Sequence, residues 1–241
     1  MPDLVFVTGA SRGLGLSIAR GVPFPARVVD ISRSGPPDGD GFEHIEADLA
    51  EPTSWALVGE RLREITDEAD PHRLMLIHAA GTLSPIGFAA EVDFAAYQEN
   101  VLLNSAAGQV LGQAFLRLAV EREGERALVM ISSGAASSVY PGWSAYGAGK
   151  AALEQWVRNA GAEQRRRGGV LVAAFAPGVI DTAMQEEIRS VSAEDFPDVE
   201  RFRRLHNEGD LIDPKVAAER FWKTIESGGV TPGSVIDLRD R

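Results

Sequence analysis

Tyr146-Gly147-Ala148-Gly149-Lys150 sets a phenol and an ammonium four residues apart, and Ser133 lies thirteen residues before the tyrosine. On a helix, positions i and i+4 share a face, so this spacing holds the ammonium beside the phenol. The ordinary phenol pKa is about 10. A fixed positive charge nearby favours the phenolate and is expected to lower that value. A tyrosine able to trade a proton near neutral pH is what general acid/base chemistry needs. Any helix with a surface Tyr and Lys can show Tyr-x-x-x-Lys, so the pair alone says little. A second motif gives it weight. Thr8-Gly9-Ala10-Ser11-Arg12-Gly13-Leu14-Gly15 follows the apolar run Leu4-Val5-Phe6-Val7 and opens a helical pattern. Its glycines permit a tight turn and close backbone approach to a pyrophosphate, and the helix start offers free N–H groups at a positive dipole end. The spacing is G-x-x-x-G-x-G, not the commoner G-x-G-x-x-G.

These residues need a scaffold. Short apolar runs recur at Leu4–Val7, Arg27–Val29, Leu74–Ile77, Ala127–Ile131, Val170–Phe175 and Val235–Ile236, with a weaker one at His44–Glu46. Unbroken hydrophobicity over such lengths marks a strand covered on both faces. Helical patterns lie between them, at about 13–21, 53–69, 93–122, 145–167 and 214–227. This alternation predicts an α/β fold, one doubly wound, Rossmann-like parallel sheet of about seven strands with helices on both faces. No repeat or linker divides the chain, so residues 1–241 are expected to form a single nucleotide-binding domain. Prolines and glycines between Arg33 and His44 predict a bare loop rather than a helix. Residues 183–212, amphipathic and too long for a tight connection, are expected to act as a lid over the substrate.

The chain has 241 residues and a net charge of −11. Such a charge disfavours nucleic acid and anionic membrane surfaces as partners. The absence of cysteine excludes disulfides, thiolate metal sites and thiol nucleophiles, and no metal site is expected. The start, Met1-Pro2-Asp3-Leu4, lacks the basic and apolar regions of a signal peptide, so a cytoplasmic location is the expectation.

Taken together, the motifs resemble the short-chain dehydrogenase/reductase family over essentially the whole length. The family's Thr-Gly-x-x-x-Gly-x-Gly stands at residues 8–15, its Tyr-x-x-x-Lys at Tyr146 and Lys150, its serine at Ser133 and its helix asparagine at Asn104. Its Pro-Gly stands at Pro177-Gly178, followed by Thr182. The stretch Pro177–Gln185 looks most like the sepiapterin/benzil reductase branch. The resemblance implies reduction of a carbonyl by a nicotinamide cofactor. Tyr146 would donate the proton and Ser133 would bond the same oxygen. Lys150 would lower the phenol pKa and bond the nicotinamide ribose, and Asn104 would hold a proton-relaying water. It also implies a cofactor cradle made by Gly9, Ser11, Arg12, Gly13, Leu14, Gly15, Ala80 and Gly81. Asp48 and Leu49 would meet the adenine, and Pro177, Gly178, Val179 and Thr182 the nicotinamide side. Taken singly, Ser133 could equally cap a turn, Asn104 satisfy a helix and Lys150 face solvent.

Cofactor choice is read from Asp30-Ile31-Ser32-Arg33. Enzymes of this fold that use NAD place a carboxylate at this strand end, and users of NADP place an arginine nearby. By register the selecting position is Ser32, with Arg33 next and Arg12 as a second cation, so NADP(H) is expected over NAD(H). Asp30, two residues back and on the same face, competes with that reading. One family motif departs: Asn-Asn-Ala-Gly reads His78-Ala79-Ala80-Gly81, which puts local bracing in doubt. His78 is either a catalytic base or a buried hydrogen-bonded histidine.

Candidate substrate-lining residues are Ser84, Pro85, Val139, Tyr140, Trp143, Met184 and Phe196. Being mostly apolar, they suit a hydrophobic ketone or diketone. Apolar residues on the long helices, among them Val110, Leu111, Phe115, Leu153, Trp156 and Val157, serve either the sheet or a homo-oligomer, a dimer or possibly a tetramer. The competing functional class is a nucleotide-binding regulator on the same fold, without turnover.

Overall fold

The first strand, β1 (Asp3–Thr8), buries both faces, which is why its sequence runs apolar without alternation. Leu4 and Phe6 enter one core cluster, Val5 and Val7 the other. The same division extends across the sheet, in a computed structural model that describes residues 3–167 and 169–240. Met1 and Pro2, on which the signal-peptide reading partly rests, lie outside the described residues, as do Gly168 and Arg241. The strands are β1, β2 (Ala26–Ser32), β3 (Glu43–Glu46), β4 (Arg73–His78), β5 (Glu125–Ile131), β6 (Leu171–Ala176) and β7 (Ser234–Asp237). They form one seven-stranded sheet in the order β3-β2-β1-β4-β5-β6-β7, every pair parallel. No helix intervenes between β2 and β3, as the proline- and glycine-rich loop predicts.

One face is covered by α2 (Pro52–Ala69), α4 (Gly108–Ala119) and α5 (Ser144–Arg167), through Val58, Leu62, Leu111, Phe115, Leu153 and Val157. The other is covered by α1 (Gly13–Arg20) and α8 (Pro214–Glu226), through Ile18, Phe221 and Trp222. Each such fully buried side chain contributes roughly 1.5–3 kcal/mol. The packing resolves the ambiguity of the long helices: Leu111, Phe115, Leu153 and Val157 belong to the core, while Val110 is 40% exposed. No helix among the described residues is long and apolar enough to cross a membrane.

The helix predicted over 93–122 runs from Phe94 to Ala119 with a π-helical middle. It comprises α3 (Phe94–Val101), a π-helical segment (Leu102–Ala107) and α4. Such segments are uncommon and cluster at functional sites. Here the buried Asn100 and Asn104 carry side-chain amides that bond an adjacent loop, and Gly149 of α5 packs so closely that a Cβ would stand 2.9 Å from Asn104 Cβ. The segment at 183–212 holds two helices, α6 (Ala183–Ser190) and α7 (Val199–Glu208). A small bridge at their base pairs Ile180 with Ile212, closed by Asp181 N–H to Ile212 O and Ile212 N–H to Val179 O, 2.9 Å each. The strand order reverses between β1 and β4, which opens a crevice at the carboxyl ends of the strands.

Candidate active site

At that crevice the glycine turn is compressed from two sides. Gly9 has a φ of +73°, and a Cβ there would meet Ala80 Cα at 2.9 Å; one on Gly15 would meet Gly9 O at 2.2 Å. The backbone is anchored by Gly9 N–H to Ile31 O (2.9 Å) and Ala10 N–H to Asp30 Oδ1 (2.8 Å). No side chain caps the start of α1, so its first amides are left for an anionic ligand.

The His78 question is answered by its neighbours. Thr8 Oγ1 accepts from Ala79 N–H and Ala80 N–H, 3.1 Å each, and so gives its own proton to His78 Nδ1 at 2.9 Å. This hydroxyl supplies the bracing that the missing family asparagine put in doubt. Burial, with a smaller contribution from the Lys150 charge, pushes the His78 imidazole down to about 3. The residue is buried behind the crevice and is not among the side chains lining it.

Ser133, Tyr146 and Lys150 all line one cavity of about 1130 Å³ that also takes in the glycine turn. Ser133 leads into a short turn, where its Oγ accepts from Ala135 N–H at 3.2 Å. Ser132 is committed elsewhere: its hydroxyl donates to Glu154 Oε1 at 2.8 Å. Lys150 Nζ is buried, donates to Ile131 O at 2.9 Å and lies 5.8 Å from the centre of the Tyr146 ring. The electrostatics differ from the expectation that Lys150 acidifies the phenol. Burial raises the Tyr146 pKa, opposed only by the hydrogen bond with Ser133. Burial also lowers Lys150 to about 8. Both shifts run toward the neutral form because both groups are buried, yet Lys150 still carries its charge at neutral pH.

Asn104 sits beside this group, with its side chain already engaged. Nδ2 donates to Thr82 O (2.7 Å) and Asn100 Oδ1 (2.8 Å), and Oδ1 accepts from Thr82 N–H (3.1 Å). Its main-chain carbonyl lies close to α5, where a Cβ on Gly149 would stand 3.4 Å from it.

The cofactor end shows two departures from expectation. Asp30 is fully buried, and its oxygens accept from Ala10 N–H, from the Ser32 hydroxyl (2.6 Å) and from His44 Nδ1 (2.9 Å). Ser32 therefore spends its proton on Asp30 and its oxygen accepts from Gly35 N–H (3.2 Å), so it is not the ready phosphate donor that the spacing suggests. Asp48 Oδ1 accepts from Ala50 N–H at 2.9 Å, while Oδ2 lies 3.6 Å from Arg33 Nη1. That ion pair is mostly exposed and weak.

Ser11, Arg12, Gly13, Leu14, Arg33, Leu49, Ala80, Gly81, Gly178, Val179 and Thr182 also line the cavity, and Pro177 is buried just behind it. Thr182 comes close enough that a Cβ on Gly13 would stand 3.4 Å from its methyl. Of the expected substrate residues, Tyr140, Trp143 and Met184 line the cavity. Ser84 and Val139 do not. Ser84 is exposed, with its carbonyl taken by Asn100 Nδ2 at 2.8 Å, and Val139 is 93% exposed. Phe196 is fully buried in the core of the cap, stacked on Trp143 with ring centres 4.5 Å apart, and Pro85 is likewise absent from the lining. Sequence reading missed Gln185, Arg201 and Phe202 from the cap formed by α6 and α7, Asp237 at the end of the last strand and Arg239 just after it. The last two had a usable signal, since sites of this fold gather at carboxyl ends of strands. The cap residues had none, because their helices follow no sheet register.

A family model described as short chain dehydrogenase matches residues 3–193. The chain is 34% identical over 241 residues to a benzil reductase ((S)-benzoin forming) of Bacillus subtilis, covering 99% of each. It is 28% identical to the sepiapterin reductase of Rattus norvegicus, covering 97% of this chain and 95% of that one. A solved short chain dehydrogenase/reductase from Saccharomyces cerevisiae superposes with a TM-score of 0.82 at 28% identity, covering 98% of this chain and 96% of that one.

Proposed function

The chain belongs to the short chain dehydrogenase family of oxidoreductases, and on that premise we propose that it transfers a hydride between NADP(H) and a carbonyl/alcohol substrate, an apolar ketone or diketone. The observation that carries this reading is the shared cavity, in which Ser133, Tyr146 and Lys150 stand together with an uncapped helix start and a glycine turn. The bound dinucleotide would supply the hydride. Tyr146 donates its phenolic proton to the carbonyl oxygen as the carbon is reduced. Its raised pKa suits this role, because reduction needs the protonated form. Ser133 donates a hydrogen bond to the same oxygen, helped by the Ala135 N–H that polarises its hydroxyl. Lys150, held by Ile131 O, bonds the ribose and compensates the phenolate left behind. A water on Asn104 would use the main-chain carbonyl.

Support for NADP(H) comes from Asp30. Its carboxylate is fully buried, takes three protein donors and is not part of the cavity lining, so it is not presented to a ribose 2′-OH, while Arg12 and Arg33 line the cavity. Support for a diketone comes from the relatives named as benzil reductases. Following NADPH absorbance with benzil and a panel of aryl ketones tests both points. We expect oxidation, with kcat/KM for NADPH about tenfold or more above that for NADH. A clear preference for NADH would overturn the cofactor assignment. Tight NADPH binding without oxidation by any carbonyl would favour a silent regulator.

The lysine gives a pH signature. With a folded value near 8, Lys150 loses its proton as pH rises through that point. The kcat/KM for NADPH reports groups of the free enzyme, so it should be level below about pH 8 and decline above it. A profile flat to high alkali would show that the charge is not used.

A further inference from the structure

We infer that the preferred ketone carries a carboxylate remote from the reacting carbonyl, held by Arg201 of the cap; this rests on the carbonyl-reductase reading above. An aromatic wall runs from Tyr146 to Trp143 (5.6 Å between ring centres) and on to Tyr140 (4.9 Å). Arg201 closes its far end. Nη1 donates to Tyr140 Oη at 2.7 Å, and the guanidinium carbon lies 5.8 Å from the Tyr140 ring and 5.7 Å from that of Phe202. Among the described residues no carboxylate lies within ion-pair distance of Arg201. Its sequence neighbour Glu200 is taken by Arg203 at 2.5 Å. Arg201 is exposed at this end of the wall, so a ligand can reach its guanidinium.

The rest of the wall offers hydrogens too. Tyr140 Oη accepts from Arg201, which leaves its own proton to donate. Trp143 is 6% exposed and its indole N–H has no partner among the described residues. A ligand that satisfies donors must bring acceptors, and a carboxylate matches the forked guanidinium best. Asp181 and Glu187 also line the cavity. The aromatic rings suit a flat apolar body between that group and the carbonyl.

The test uses two diketones with one body, benzil and 4-carboxybenzil, and the full-length protein with NADPH. Wild type should favour the carboxylated compound by about tenfold in kcat/KM, the difference residing in KM and shrinking with salt. In Arg201→Met that ratio should collapse toward one, and Arg201→Lys should restore part of it. Quenching of tryptophan fluorescence gives Kd for both compounds independently of turnover and should show the same pattern. A wild-type ratio near one in both measurements, or a ratio untouched by Arg201→Met, would overturn the inference. Turnover of benzil by wild type in that case leaves the carbonyl-reductase reading standing. Absence of all turnover, with the binding ratio intact, would fault that reading alone.

Discussion

Tyr146→Phe should lower ketone and diketone reduction by roughly 10²–10⁴-fold, the usual contribution of a positioned general acid, while NADPH still binds. The substitution removes one oxygen and keeps the ring. That ring is 7% exposed and packs edge-on against Trp143, so the cap cluster retains its shape. Ser133 stays in place through its own contact with Ala135, and Lys150 through Ile131. What is lost is the proton source and its hydrogen bond with Ser133. Steady-state turnover with benzil and an NADPH fluorescence titration, run on the same preparation, separate the two properties. Retention of most of the turnover would refute the role of the phenol. Joint loss of turnover and binding would mean instead that the hydroxyl holds the cofactor.

The second large effect is expected at Gly15. A methyl there would stand 2.2 Å from the carbonyl oxygen of Gly9. That carbonyl has little room to retreat, because Gly9 is tied to Ile31 and lies so near Ala80 that a Cβ on it would stand 2.9 Å from Ala80 Cα. Gly15→Ala must therefore displace the start of α1 from the turn. Overpacking of this kind costs about 1–3 kcal/mol of stability. Displacing the amides by about 1 Å should weaken productive NADPH binding roughly 10²-fold. Gly59→Ala is the control. It lies within α2, and its added methyl meets Ala114 Cβ at an ordinary 3.5 Å. Thermal unfolding and NADPH titration of both variants check the contrast, and a Gly15→Ala protein that binds NADPH normally would contradict it.

Much of this was readable before any coordinates. The apolar runs mark strands because a parallel sheet covered on both faces demands apolar residues at every position, and Leu4–Val7 meets that demand. The glycine turn and the Tyr146–Lys150 pair are local patterns, set by spacings that a helix or a turn converts directly into geometry. The site residues that went astray are those whose environment is made by distant chain. Ser84 and Val139 read as cavity-lining on position alone, yet both lie out in solvent. Asp30 reads as a competitor for ribose, yet it is fully buried and bonded to residues 10, 32 and 44. The π-helical segment inside the 93–122 helix holds Asn104, which with Asn100 bonds a loop 16 to 22 residues earlier, an interaction with no helical periodicity to betray it.

The sequence by itself determined the sheet, the phosphate-facing turn, the family and the set of groups able to move a proton. Each of these depends on the order of neighbouring residues and on side-chain chemistry, which are written in the chain. Only the tertiary structure decided how those groups titrate and which of them meet a ligand. Burial raised Tyr146 and lowered Lys150, against what their spacing alone predicts. The cap carried Arg201 to the end of the aromatic wall. Desolvation and long-range contact are properties of the folded surroundings, summed over residues far apart along the chain.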